Sequence, residues 1–207
     1  MTKNFIPAWD GNLAYAIGLF VSDGHLSIDG RHLDFTSKDL ELIDNFKTAL
    51  SLGTKISKKT RDKSTDKKYY CVRFGYIQLY NFFLSLGIPQ QKSKNIEKVE
   101  VPDRLFFDFV RGLLDGDGNI CMNNHPESTH KQVKVRFASA NKKFLEWLKV
   151  KLNYLEIDGG SISRGSNVWS LTFGKLSGKA LINKMYSDDN SLRLTRKYCL
   201  AKIARSV

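Results

Sequence analysis

The chain has 207 residues, 42% of them hydrophobic, which is enough to bury a core and too much for a disordered polymer; length alone allows one domain or two small ones. Its 33 Lys and Arg against 21 Asp and Glu leave a formal charge of +12, which points to an acidic polymer as partner, nucleic acid ahead of an anionic membrane surface. The longest apolar run, Ala16 to Val21 with its flank from Leu13, is far too short to span a bilayer and lacks the flanks of a signal peptide, so a soluble, intracellular protein is expected.

The first predicted element is a helix ending in AIGLFVSDG, residues 16 to 24. Gly24 reads as a helix stop that takes the left-handed conformation. Asp23 just before it is the anomaly, because a carboxylate at a helix C-terminus faces the negative end of the backbone dipole. Something cationic should compensate. Two strands follow, His25 to Ile28 and Arg31 to Thr36, with Leu26, Ile28, Leu33 and Phe35 on one face and Ser27, His32 and Asp34 on the other. A helix is then predicted from Ser37, with Ser37 and Asp39 as its start signals. Strands at Thr54 to Lys58 and Tyr69 to Gly75 flank a Lys- and Arg-rich tip within 58 to 68, a loop suited to phosphates. The half closes with a helix from Leu79 to Leu86.

After a linker, SKNIEKVEVPDR, the same order returns. VRGLLDGDG at 110 to 118 repeats the first helix end and sets Asp117 where Asp23 stood. Strands follow at Asn119 to Met122 and Gln132 to Ala138, a helix from Ser139, strands at Gly160 to Ser163 and Val168 to Gly174, and a helix from Gly178 to Tyr186. Each signature helix carries small residues four apart, Gly18 with Ser22 and Gly112 with Gly116, which lie on one face and allow two backbones to approach closely. Side by side, the helices would bring Asp23 and Asp117 to one edge, an arrangement of carboxylates that binds hard divalent cations such as Mg²⁺.

The expected fold is α+β, a pseudo-twofold pair of αββαββα repeats with two antiparallel-rich four-stranded sheets, helices covering one face of each. The expected divisions are 1–92, a linker at 93–104, and 105–207. The uncovered face is polar and basic, and as a trough it suits a duplex, since β-ribbons enter the major groove and present alternate side chains to base edges. Its candidate contacts are Ser27, His32, Asp34, Lys55, Ser57, Lys59 and Arg73 in the first half. In the second they are Asn119, Cys121, Asn123, Lys134, Arg136, Ser163, Ser170 and Thr172. Cys71, Cys121 and Cys199 show no paired spacing and His25, His32, His125 and His130 are scattered, which argues against a disulfide framework and a structural zinc site.

The pair AIGLFVSDG and VRGLLDGDG resembles the two signature helices of the LAGLIDADG homing endonucleases in their two-motif, single-chain form. LGIPQQKS at 86 to 93 and LTRKY at 194 to 198 are similar to segments that accompany each motif in that family. The resemblance implies a saddle of two sheets on double-stranded DNA and metal-dependent double-strand cleavage of a long, roughly palindromic site by a monomer. It implies metal ligation by Asp23 and Asp117, with the carbonyls of Ser22 and Gly116 as further ligands of two or more Mg²⁺ ions. It also implies catalytic basic residues near each centre, at Lys92 and Lys197, with Arg196 competing for the second place. Val21 stands where the second motif has Asp115, Ser22 where Gly or Ala is usual, and Arg111 where a small apolar residue is usual. Asp115 reads as a helix-end hydrogen-bonding residue. Two other functions fit the same pattern: an RNA-binding intron maturase, and a DNA-binding regulator of this fold that does not cut.

Overall fold

The computed structural model describes residues 8–60, 68–125 and 128–206. Helix α1, Gly11–Asp23, starts at Asp10, whose carboxylate accepts from the Leu13 amide at 2.7 Å. It leads into β1 (Gly24–Leu26) and β2 (His32–Ser37), then α2 (Leu40–Ala49), β3 (Ser57–Thr60), β4 (Lys68–Gly75), α3 (Ile77–Ser85) and a one-turn α4 (Lys92–Asn95). A 3-10 turn at Asp103–Leu105 opens the second pass, α5 (Phe106–Asp117), β5 (Asn119–His125), β6 (Ser128–Ser139), α6 (Lys142–Tyr154), β7 (Ser161–Arg164), β8 (Trp169–Phe173) and α7 (Lys175–Met185), with a final α8 (Thr195–Ser206). Both sheets are antiparallel and share one order, β1-β2-β4-β3 and β5-β6-β8-β7, so the expected double repeat is present.

The reason each element buries what it does lies in its period. In β2, Leu33 and Phe35 are buried while His32, Asp34 and Thr36 alternate toward the other face. Phe35 stacks on Phe46 of α2 with ring centroids 4.4 Å apart, which fixes that helix on the sheet. The helices α1 and α5 are buried almost all round, as expected of helices enclosed between other elements. Their contact is set by glycine: a Cβ on Gly18 would lie 2.1 Å from the Phe109 carbonyl oxygen, and one on Gly112 would lie 2.2 Å from that of Tyr15. Nothing larger than hydrogen fits at that crossing.

Several expectations are corrected. Gly24 and Gly118 are extended, at φ −82° and −84°, and not left-handed. Each is required for space instead, since a Cβ would meet the Phe20 ring at 2.2 Å or Leu114 Cα at 2.6 Å. Ser37 and Ser139 end strands and do not begin helices; the caps are Asp39 and Asn141, whose side chains accept from the amides of Glu41 and Lys143. Ile28 is 87% exposed, because β1 stops at Leu26 and a turn through Gly30, at φ 74°, intervenes. Lys92 opens α4, so the expected boundary after 92 falls inside a helix, and the following Ile96, Val99 and Val101 are buried. Both α4 and α8 were absent from the expected repeat.

Candidate active site and nucleic-acid interface

The close approach of α1 and α5 carries their C-termini to one place. A Cβ on Gly116 would sit 2.4 Å from Ser22 Cβ and 3.8 Å from Asp23 Oδ2, so the first acid abuts the end of the second helix. Asp117 is exposed and Asp23 half-buried. A cavity of about 290 Å³ opens beside them, lined by Ser22, Asp117, Lys92, Ile96 and Ser139 among others. A second, of about 440 Å³, lies on the sheet side and is lined by Asp23, His25, Asp34, Thr36, Lys59 and Tyr69.

The compensating cations are lysines. Lys92 Nζ donates to the carbonyls of Phe20, Val21 and Ser22 at 2.7, 2.6 and 2.6 Å. Lys197 Nζ donates to those of Leu114, Asp115 and Gly118, the latter two at 2.9 and 2.8 Å, and reaches Gly116 at 3.4 Å. Phe20, Val21 and Ser22 align with Leu114, Asp115 and Gly116, so the two lysines perform one task in two copies. Each ammonium gathers carbonyls of the last helical turn, of which Phe20 and Leu114 also accept from the amides of Gly24 and Gly118, and each offsets the negative pole beneath an aspartate. Burial pushes Lys92 down to about 7, against the pull of the Asp23 and Asp117 carboxylates. Lys197 is pushed down to about 8 by burial, opposed first by Asp115.

These contacts bear on the groups expected to be catalytic or metal-ligating. Lys92 Nζ has three carbonyl acceptors, as many as an ammonium has protons, so it serves the helix end in this arrangement. The carbonyls of Ser22 and Gly116, expected as metal ligands, both face lysine ammonium groups. Lys197, and not Arg196, takes the second position; Arg196 Nε pairs with Asp39 at 3.2 Å.

The two centres differ beneath the surface. Asp115 is fully buried and accepts from Tyr15 Oη at 2.8 Å and the Leu194 amide at 2.7 Å, the helix-end bonding expected of it. Burial pushes its carboxyl up to about 6 despite those bonds and the nearby Lys197 and Arg111. Arg111 is buried too, donating to the carbonyls of Met185 at 2.7 Å and Leu192 at 2.9 Å and to Asp108 at 2.7 Å. The first half has Val21 and Ile17 in these positions and no such network.

Strand register orders the groove face into rows. One row runs His25, Asp34, Arg73; its counterpart runs Asn119, Arg136, Thr172, Ser161. Arg73 and Arg136 are exposed, and Arg73 Nε lies 3.6 Å from Asp34 Oδ1. Cys121 pairs with Lys134, and Ser170 with Ser163, on the same face. Ser57 and Lys59 lie on β3, Ser57 donating to the Cys71 carbonyl at 3.1 Å. Lys55 is exposed but precedes β3. Ser27 is buried past the end of β1, its carbonyl accepting from Tyr80 Oη at 2.6 Å. His32 Nδ1 is bonded to Asp29 in the turn, which holds the Asp29 carboxyl below the usual carboxylate range. The Asn123 side chain and the loop expected to grip phosphates, 61–67, lie outside the described residues. His25, Thr36 and Tyr69 were not among the expected contacts, although strand alternation places them with Asp34 and Arg73.

A family model described as a LAGLIDADG-like domain matches residues 10–95, which hold α1, the first sheet and Lys92. That segment, the first half of the repeat, is similar to the LAGLIDADG-like domain. The fold of the whole chain is shared with solved structures. Full-length DUF199/WhiA from Thermatoga maritima matches at TM-score 0.60 and 13% identity over 97% of this chain, which spans 62% of the WhiA chain. I-DmoI in complex with DNA and Ca matches at TM-score 0.61 and 19% identity, over 91% of this chain and 96% of that one. The homing endonuclease I-GzeII in complex with its DNA target matches at TM-score 0.58 and 11% identity, over 93% and 89% of the two chains. No curated protein matches the chain. No helix among its described residues is long and apolar enough to cross a membrane.

Proposed function

We propose that this chain is a site-specific endonuclease of the LAGLIDADG kind that makes double-strand breaks in a long, roughly palindromic DNA target, acting as a monomer with Mg²⁺. The observation that carries the reading is the meeting of Asp23 with the end of α5 and its Asp117, each at a helix end whose negative pole a buried lysine already offsets. A carboxylate pair with no such charge nearby would repel itself; here a lysine side chain lies beneath each acid and lessens that repulsion.

The donor chemistry fits a divalent ion of the hard class. Asp23 and Asp117 supply carboxylate oxygens, and the Ser22 and Gly116 carbonyls keep a lone pair beyond the one facing lysine. Among the described residues no third acid, His or Cys joins them, so an ion held there would draw its further oxygens from phosphate and water. Ions bound there would supply positive charge to the scissile phosphate and the departing 3′ oxygen. The protein's own residues do the rest: α1 and α5 fix the acids, and the sheets set the duplex across them. Arg73, Arg136 and Asn119 read base edges, and Lys59 and Lys134 answer phosphates. The halves differ at every position of the central row, so the two half-sites differ, over on the order of two helical turns of ~10 base pairs each.

The engagement of both lysines with carbonyls favours a second reading, a DNA-binding protein of this fold that does not cut. The test is a DNA library incubated with Mg²⁺, then with Asp23→Asn and Asp117→Asn. Loss of cutting with binding kept, in either variant, supports the nuclease. Binding without cutting in the parent protein establishes the second reading.

A further inference from the structure

The lysine that closes each signature helix sits in a segment gripped by the opposite half. Beyond Lys92 the chain reaches Ile96 and Glu97. The Ile96 carbonyl accepts from Asn141 Nδ2 at 2.8 Å, and Glu97 pairs with Lys143 at 2.7 Å. Asn141 and Lys143 belong to the start of α6, in the second half. On the other side, the Thr195 amide donates to Glu41 Oε1 at 3.0 Å, as does its hydroxyl, and Arg196 Nε meets Asp39 at 3.2 Å. Asp39 and Glu41 belong to the start of α2, in the first half. Asp39 and Asn141 are the same position of the repeat, as are Glu41 and Lys143.

The two grips share a place and not a chemistry. Acids on α2 meet an arginine and a threonine; an amide and a lysine on α6 meet a carbonyl and a glutamate. The Lys143 to Glu97 pair is solvated and weak, so the bond from Asn141 dominates its side. General adhesion between halves is already provided by α1 against α5. These contacts instead converge on the segments that carry Lys92 and Lys197, and Lys92, Ile96, Ser139 and Asp117 line one cavity.

We propose that Asn141 is a positioning residue for Lys92, and Glu41 with Asp39 for Lys197, so that each cleavage centre is completed by the half that does not contain it. The cleavage part rests on the endonuclease reading; the positioning part does not. A substitution in one half then acts on the centre of the other.

The test uses Asn141→Asp, which keeps the acceptor that caps α6 at the Lys143 amide and removes the donor to Ile96. Glu41→Ala is its counterpart. Single-turnover cleavage at saturating protein is followed on target DNA with the two strands differently labelled, and Lys92→Met and Lys197→Met identify which strand each centre serves. Asn141→Asp slows the Lys92 strand about fivefold and leaves the other strand unchanged, and Glu41→Ala does the reverse. Amide hydrogen exchange on the metal-free, DNA-free full chain gives a second readout. Asn141→Asp speeds exchange in 92–97 and not in 193–198; Glu41→Ala reverses the pattern. Equal slowing of both strands, slowing of the wrong strand, or unchanged exchange in 92–97 overturns the proposal. If the parent cuts no DNA, the endonuclease reading falls and the exchange pattern alone decides the positioning.

Discussion

Gly112→Ala tests the helix crossing on which the site depends. The added methyl would lie 2.2 Å from the Tyr15 carbonyl oxygen and 2.9 Å from both Gly18 Cα and the Leu19 amide nitrogen. Ordinary contact needs ~3.5 Å, so the helices must part by about 1 Å. Overpacking costs ~1–3 kcal/mol where side chains can adjust; here every obstructing atom is backbone, which puts the cost near ~3 kcal/mol. For a chain of this size, each kcal/mol lowers Tm by ~2–4 °C, giving a fall of ~6–12 °C in thermal unfolding. Gly53→Ala is the control, because a methyl there meets nothing within 4 Å, and it should stay within ~0.5 kcal/mol of the parent. If Gly112→Ala melts with the Gly53→Ala control, the two helices do not touch backbone to backbone and the placement of Asp23 beside Asp117 loses its support.

Gly116→Ala should also destabilise, its methyl meeting Ser22 Cβ at 2.4 Å, but Ser22→Gly should rescue it, giving a coupling of ~1 kcal/mol or more in a double-mutant cycle. Arg111→Met leaves the carbonyls of Met185 and Leu192 without their donor and should lower the urea midpoint by the equivalent of ~2 kcal/mol at an unchanged slope. Arg136→Ala should relax base preference at one position of the second half-site and Arg73→Ala at one of the first, each by ~1–3 kcal/mol in a binding selection with Ca²⁺. A uniform loss across all sequences would move both arginines from base edges to phosphates.

The repeat was legible in the sequence because its signals are periodic and local. Gly18 and Gly112 announce the crossing, the alternation of Leu33 and Phe35 with Asp34 announces a one-sided sheet, and Asp23 at a helix end announces a missing cation. The identity of that cation was legible only through family resemblance, and its task was not. Lys92 lies 70 positions from the Ser22 carbonyl it caps, and no local pattern records such a bond. Helix α8 escaped notice because its buried face is thin, Ala201 and Ala204 beside the polar Lys197. Ile28 misled for the opposite reason, as an apolar residue of the right parity placed two residues past the end of its strand.

The exchange of grips between halves bears on how such a chain can be re-engineered. A chimaera that joins residues 1–104 to the second half of another protein of this fold would keep α1 against α5 if the glycines match. It would still set Glu97 and Ile96 against a foreign α6, and strand Glu41 without Thr195. Grafted halves therefore need their helix-start residues transplanted as reciprocal sets, Asp39 and Glu41 with 193–196, and Asn141 and Lys143 with 96–97.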